Sequence, residues 1–192
     1  MTIYKRKMVR LLRKLRQERD GATAIEFAIL AIPFSALLFA IIELAIVFFI
    51  GSTVSHAMQV TAREIRTGEF QATCGGAAEF KAQVCSEMAG LGDCNANLRI
   101  DVVTSPTGRF LPGLLPPTPN QEDPLNPGQP VIPPDTYVPT PASAVVVVRA
   151  QYYHPLTVPG QLTFLSNQPG NRRVISATTA FRNEPFPGGC GP

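Results

Sequence analysis

The stretch FAILAIPFSALLFAII, residues 27–42, decides the architecture of this chain, because it contains no charged side chain. After Glu43 the apolar character resumes through LAIVFFIG. A helix needs about 20 apolar residues to cross the hydrocarbon core of a bilayer, and residues 24–50 supply that length. Pro33 is compatible with such a helix, since Pro is tolerated in membrane helices. The sequence therefore predicts one transmembrane helix, which we assign to residues 22–51.

Basic residues are concentrated ahead of this helix. Residues 1–20 hold eight Lys or Arg and two acidic residues, whereas residues 21–192 hold nine basic and twelve acidic residues. By the positive-inside rule, the leader stays in the cytoplasm and the chain beyond about residue 52 is exported. Because the positive charge is confined to a short arm, we do not expect a nucleic-acid-binding surface.

A cleaved secretory signal peptide is the alternative interpretation of the same segment. Its apolar core would normally have only about 7–15 residues, which is shorter than the run found here. Ser55-His56-Ala57 resembles a small-residue cleavage site.

Glu26 is unusual at the start of a membrane helix, because a carboxylate in the bilayer normally has a partner or a function. It follows Gly21 by five residues in the sequence GATAIEFAIL. A Gly and a Glu at this spacing, at the head of an apolar helix, resemble the processing site of type IV prepilins. Together with the basic leader, the segment is similar to the TadE family of pseudopilins of the tight-adherence (Tad or Flp) pilus systems. FRNEPF at residues 181–186 is similar to the same family, and Phe27, where the major pilin typically has Tyr, favours a pseudopilin.

The resemblance implies a processing step and an assembly role. A prepilin peptidase would cut after Gly21, leaving residues 1–21 as a leader and a mature chain that starts at Ala22. The new ammonium group of Ala22 would then pair with Glu26 of a neighbouring subunit, which would fix the axial register more than it adds stability. The alternative is that Glu26 lies in the headgroup layer beside Arg19 without further role.

The implied partners are the membrane, the prepilin peptidase, other Tad pilus subunits and the inner-membrane assembly platform. The implied location is the bacterial inner membrane, with a single pass, a cytoplasmic N-terminus and a periplasmic or extracellular C-terminal domain. Neither a nucleic acid nor a small-molecule substrate nor a cofactor is expected.

Small side chains form a stripe along the predicted membrane helix, and such stripes let helices approach closely in lipid. The stripe consists of Ala24, Ala28, Ala31 and Ser35. An ordinary membrane anchor rich in alanine would look the same. Glu43 points to a different face from Glu26, and we leave open whether it lies at the outer interface or contacts a partner helix.

Beyond the membrane, residues 52–104 are expected to form a helical region and a first strand. The N-terminal helix is predicted to run from about Thr23 to Phe70, and a second helix from Ala77 to Leu91. The first would be about 70 Å long at 1.5 Å per residue. Its exported part has one apolar face, formed by Val54, Met58, Thr61, Ala62 and Ile65.

Three strands are predicted. Residues 98–102 alternate apolar and charged residues, as in a half-buried strand, whereas residues 144–148 form a β-branched run typical of a central strand. Residues 175–182 alternate again and belong to the last region, 143–192. The expected fold is α+β and pilin-like: a long N-terminal transmembrane helix that continues into an exported head with a short antiparallel sheet. Residues 105–142 contain twelve prolines and are expected to be a mobile or polyproline-like loop.

All four cysteines follow the membrane segment, and an exported, oxidising compartment favours disulfides. Four cysteines allow three connectivities. We favour Cys85–Cys94, which closes a short loop, and Cys74–Cys190, which would hold the tail to the head. No ligand-spaced His accompanies the cysteines, so the sequence does not predict a zinc site.

The sequence contains no phosphate-binding glycine loop, no HExxH and no GxSxG. Its two histidines, His56 and His154, are far apart in the chain, and we predict no catalytic residue. Two functions remain: a pseudopilin processed after Gly21, or an uncleaved, single-pass surface protein whose proline-rich head binds an external ligand. They differ in the N-terminal residue of the mature protein.

Overall fold

A computed structural model describes residues 20–88, 91, 93–110 and 113–187. The chain divides into two compact units between Ile42 and Glu43. In the described residues, the first unit is helical throughout, and the second contains helices and a four-stranded sheet. The predicted α+β class is confirmed.

The first helix, α1, spans Asp20–Thr67 and continues without interruption through Pro33. Its residues Thr23–Thr67 form the single described segment long and apolar enough to cross a membrane, with a mean hydropathy of 2.5 over a stretch of 18 residues. This fits a single-pass membrane anchor. The predicted continuation of the helix beyond the apolar run is also confirmed.

Helix α1 ends three residues before the predicted boundary. Gly68 adopts a left-handed conformation, with φ of 88°, and a Cβ atom at this position would lie 2.4 Å from the ring of Phe186. Only glycine combines this conformation with so close a neighbour. The chain then forms a short helix, α2 (Glu69–Ala72), before helix α3 (Ala77–Glu87).

Helix α3 begins at the predicted residue and ends at Glu87, four residues before Leu91. The carboxylate of Glu79 accepts a hydrogen bond from the backbone N–H of Gly76 at 2.8 Å, which caps the helix start. Gly90 and Gly92, which flank the predicted end of this helix at Leu91, lie outside the described residues. A further short helix, α4 (Cys94–Asn97), was not predicted.

The sheet contains four strands in the order β2-β1-β3-β4. Strands β1, β3 and β4 are antiparallel neighbours, as predicted. A two-residue strand, β2, lies parallel to β1 at one edge, so the sheet is mixed rather than wholly antiparallel. The bounds are Leu98–Thr104 for β1, Thr136–Tyr137 for β2, Val145–Pro155 for β3 and Arg172–Arg182 for β4.

The core of the second unit lies between one face of the sheet and the helices. The predicted apolar face of α1 is buried there in full. Ile100 of β1 and Val148 of β3 face it from the sheet, and Phe80 and Val84 of α3 complete it. Burial of this kind is the main source of stability in a small head domain.

At β1 and β3 the opposite face of the sheet is also buried, which contradicts the half-buried pattern predicted for β1. Arg99 and Asp101, expected to face solvent, are both covered. One oxygen of Asp101 accepts from Arg99 at 2.9 Å and the other accepts from Arg149 of β3, at 3.0 Å from Nε. The carboxylate thus neutralises one of two buried guanidinium groups. We name these three residues the ionic cluster.

The proline-rich segment, residues 105–142, covers this cluster. The carbonyl oxygen of Pro116 accepts a hydrogen bond of 2.6 Å from Arg149, and Thr118 accepts one from the Gln151 amide. The segment also supplies strand β2. Its interpretation as a loop without regular structure was therefore wrong at residues 136 and 137, where the backbone pairs with β1.

Candidate functional site

The predicted processing site lies in the first turns of α1. Gly21 and Glu26 are exposed, and Ala22 belongs to the same helix. No other part of the described chain approaches Gly21, because a Cβ atom there would meet nothing within 4 Å. Ala22 and Glu26 are four residues apart in this helix, a spacing of about one helical turn.

Glu26 lies in an otherwise apolar exposed surface. Its neighbours Ile25 and Phe27 are exposed to 62% and 73%. Among the described residues, no cation lies within ion-pair distance of its carboxylate. Any charge partner for Glu26 must therefore come from the leader, from a new N-terminus or from another molecule.

The predicted stripe of small residues also belongs to the first unit. Ala24, Ala28 and Ser35 are exposed, and Ala31 is half-buried. Within a single chain, the described residues thus leave most of the stripe uncovered. Its role in helix packing stays a prediction.

Glu43 is buried inside the second unit and is only 3% exposed. Its Oε1 accepts a hydrogen bond of 3.1 Å from the backbone N–H of Thr157, and the same oxygen lies 3.9 Å from Nε2 of His154. A buried carboxylate is costly unless it is hydrogen-bonded. Glu43 thus has a hydrogen-bond partner within its own chain, which neither of the two alternatives considered for it had included. We name Glu43, His154 and Thr157 the Glu43 joint.

No local pattern in the sequence identifies the partners in this joint. His154 is one of two histidines that are far apart in the chain, and Thr157 belongs to no motif. Only the position of Glu43 could have predicted a buried polar contact here, since a carboxylate in an apolar run normally has a specific partner.

Burial lowers the pKa of His154 below its usual value of 6.5, and the nearby Arg172 lowers it further. The Glu43 carboxylate acts in the opposite direction and raises the pKa of His154, but less strongly than burial lowers it. The neutral imidazole is therefore the form that the folded head favours.

The disulfide Cys85–Cys94 is present, with 5.7 Å between the Cα atoms. It links helix α3 to helix α4 at the edge of the core, where both cysteines are half-buried. This prediction is confirmed. Cys190 lies outside the described residues, so the Cys74–Cys190 pair stays a prediction.

The alternative of a signal peptide cut after Ala57 conflicts with the core. Val54 and Ala57 are fully buried in the second unit, within the uninterrupted helix α1. Cleavage there would remove Ile50 and Val54 from the head they help to form. Among the described residues, no group of three or more His, Cys, Asp or Glu is arranged to hold a metal ion.

Comparison with protein families supports the resemblance found in the sequence. Residues 21–63 match the family model described as TadE-like protein. The match starts at Gly21, covers Glu26 and Glu43, and ends within α1. No curated protein matches the chain. No solved structure matches it either.

Proposed function

We propose that this chain, whose residues 21–63 carry a TadE-like segment, is a membrane-anchored pseudopilin or minor pilin of a Tad pilus system. A prepilin peptidase cuts it after Gly21, and the mature chain takes part in pilus assembly and surface adherence. The observation that carries the proposal is the family match, which begins at the glycine of the processing motif and extends along the apolar helix.

The placement of Glu26 supports an assembly role. An exposed carboxylate in an apolar surface is costly in lipid, and the described residues of its own chain offer it no cation. Cleavage after Gly21 creates an ammonium group on Ala22. In an assembly of parallel helices, that group on one subunit neutralises Glu26 on the next, and the pairing sets how far one subunit is shifted along its neighbour.

The proposed topology follows from the charge distribution. The basic leader stays on the cytoplasmic side of the bacterial inner membrane, where the peptidase and the assembly platform act, and the head is exported. The Cys85–Cys94 disulfide supports export, since disulfides persist in oxidising compartments.

The N-terminal residue of the mature protein tests the proposal. We expect intact-mass analysis of the protein from peptidase-positive cells to give a chain that starts at Ala22. Gly21→Val should block this processing without disturbing the fold, because a side chain at Gly21 meets no described part of the molecule.

Gly51→Ala is the matched control. It adds a methyl group to the same helix, where it meets only Ile175 at an ordinary contact distance of 3.6 Å, and it should be processed normally. Recovery of residues 1–21 on the native protein from peptidase-positive cells would favour the uncleaved surface-binding alternative.

A second variant separates processing from assembly. Glu26→Gln removes the charge but keeps the size of the side chain, so membrane insertion and cleavage should persist while pilus assembly fails. Glu26→Asp, which keeps the charge, should retain part of the assembly. Normal piliation in Glu26→Gln would remove the charge pair from the mechanism.

A further inference from the structure

The ionic cluster in the head carries an unbalanced positive charge. It contains two guanidinium groups and one carboxylate, and the side chains of Arg99, Asp101 and Arg149 are only 3%, 0% and 12% exposed. In the part of the chain that the structure describes, neither arginine forms an ion pair with any carboxylate other than that of Asp101. Burial of an uncompensated charge is strongly unfavourable, so one positive charge of the cluster still needs a counterpart.

Arg99 is the member of the cluster whose donors are not all used. Its Nη2 donates to Asp101 at 2.9 Å, but Nε and Nη1 are buried without a hydrogen-bond partner among the described residues. Arg149, by contrast, donates to Asp101 through Nε and to the carbonyl oxygen of Pro116 through Nη2. A buried donor without an acceptor is costly. The uncompensated charge and the unused donors therefore coincide at Arg99.

The hydroxyl group of Tyr153 is a further donor beside Arg99. Tyr153 is fully buried, and its hydroxyl group has no hydrogen-bond partner among the described residues. Burial raises the pKa of this hydroxyl group, whereas the guanidinium group of Arg99 beside it lowers the pKa less strongly. The hydroxyl group is therefore protonated at neutral pH, and it is available as a donor next to the unused N–H groups of Arg99.

Gln151 lies directly opposite Arg99 in the pairing of β1 with β3. Its amide nitrogen contacts the hydroxyl groups of Thr118 and Ser176, and its Oε1 has no hydrogen-bond partner among the described residues. Because hydroxyl groups both donate and accept, the amide can exchange the positions of its oxygen and nitrogen and keep both contacts. Its NH2 group then takes the place of Oε1 and becomes another donor on this face of the sheet.

We propose that Arg99 and the hydroxyl group of Tyr153 bind one small monovalent inorganic anion of the chloride class, on the face of the sheet to which the proline-rich segment bonds. A single negative charge balances the cluster. A divalent anion such as sulfate would exceed the positive charge of the cluster, and it is more costly to remove from water. A water molecule would satisfy the same donors, but it would leave the positive charge uncompensated.

The bound anion is expected to stabilise the head. A ligand that binds only the folded state raises the free energy of unfolding as its concentration rises. Without the anion, Arg99 and Arg149 share one carboxylate and repel each other. The proline-rich segment is held to the same cluster by the hydrogen bond from Arg149 to Pro116, so we expect the anion to stabilise this attachment as well.

The anion dependence of thermal unfolding tests the proposal on the full chain in detergent micelles. Unfolding temperatures are measured by circular dichroism in sodium chloride and in sodium gluconate at equal ionic strength, so that general screening is the same. Gluconate is also monovalent but much larger than chloride. We expect the unfolding temperature to rise with the chloride concentration and to reach a plateau. Equal unfolding temperatures in the two salts would overturn the proposal and favour water as the partner of these donors.

Arg99→Met shows whether the response comes from this site. The substitution removes the unbalanced charge and its unused donors, and it leaves Asp101 and Arg149 as a balanced pair. An apolar side chain of similar length is often tolerated in place of a buried ion. We expect this variant to unfold at the same temperature in chloride and in gluconate. An undiminished response to chloride would overturn the proposal.

Tyr153→Phe is a milder variant, which removes one donor and keeps the ring. It should raise the chloride concentration needed for half of the stabilisation several-fold. Tyr152→Phe is the matched control, because Tyr152 belongs to the same strand but donates its hydroxyl group to the carbonyl oxygen of Leu91 at 3.3 Å. The control should keep the full response to chloride. Equal responses of Tyr153→Phe and Tyr152→Phe would also overturn the proposal.

Discussion

Glu26 and Glu43 lie in the same helix and in the same apolar stretch of sequence, yet their surroundings differ completely. Glu43 is buried and accepts a hydrogen bond from Thr157 of its own chain. Glu26 is exposed, and the described residues place no cation beside it. Glu43 is thus hydrogen-bonded within the head, whereas the described residues contain no ion-pair partner for Glu26.

The same contrast applies to the apolar side chains of α1. Before Glu43 they are exposed on nearly all sides, and after it one face is buried against the sheet. A helix that is apolar all round belongs in lipid, whereas an apolar stripe belongs against a protein core. The change from one pattern to the other marks where α1 begins to contribute to the core of the second unit.

The largest loss of stability should come from a substitution in the buried half of α1. Ile65 is fully buried and Ile32 is 74% exposed. Ile65→Ala removes buried methyl groups and should lower the free energy of unfolding of the head by about 2–5 kcal/mol. Thermal unfolding in detergent micelles, followed by circular dichroism, measures the loss. Ile32→Ala is the control, and an equal loss in that variant would contradict the division of the helix into two environments.

The two environments along α1 could be predicted from the sequence, because they depend on the local pattern of apolar residues. The length of the apolar run, the apolar face from Val54 to Ile65 and the short-range disulfide Cys85–Cys94 all follow from spacing along the chain. Each was found where it was expected.

Features that depend on distant segments were missed. Alternation in β1 predicts that Arg99 and Asp101 face solvent, but both are buried, and Asp101 is bonded to Arg149 of the distant strand β3. The proline-rich segment in turn bonds to Arg149 through Pro116, and no local pattern predicts either contact. The partner of Glu43 is likewise 114 residues away. In both places a charged residue was buried because a later segment supplied its hydrogen bonds, and such pairings are set by tertiary structure alone.

A smaller loss of stability is expected when Glu43 of the Glu43 joint is substituted. Glu43→Ala removes the acceptor of the Thr157 backbone N–H. Because Thr157 is exposed, water can replace that acceptor, and the expected loss is the net contribution of one hydrogen bond, about 0.5–1.5 kcal/mol. Glu43→Gln keeps an acceptor oxygen and should lose less. Glu26→Ala is the matched control and should leave the unfolding temperature of the head unchanged. If Glu26→Ala destabilised the head as much as Glu43→Ala, the two glutamates would not have separate roles.

The smallest expected effect is the pH dependence of the stability that His154 of the same joint contributes to the head. Because burial lowers the pKa of His154 in the folded head, the unfolded chain binds the proton more readily. The stability contributed by neutral His154 is therefore complete above the ordinary pKa of 6.5 and is lost as the pH falls below that value towards the folded pKa. Unfolding temperatures between about pH 5 and pH 8 should show this loss.

Variants of the joint show whether His154 is responsible. His154→Gln should flatten the pH profile, whereas His56→Gln, which changes the exposed histidine of α1, should leave it as it is. Glu43→Gln should steepen the loss, because the carboxylate that partly restores the pKa of His154 is then absent. An unchanged profile in both His154→Gln and Glu43→Gln would mean that the proton is taken up elsewhere, and that the joint is held by the Thr157 hydrogen bond alone.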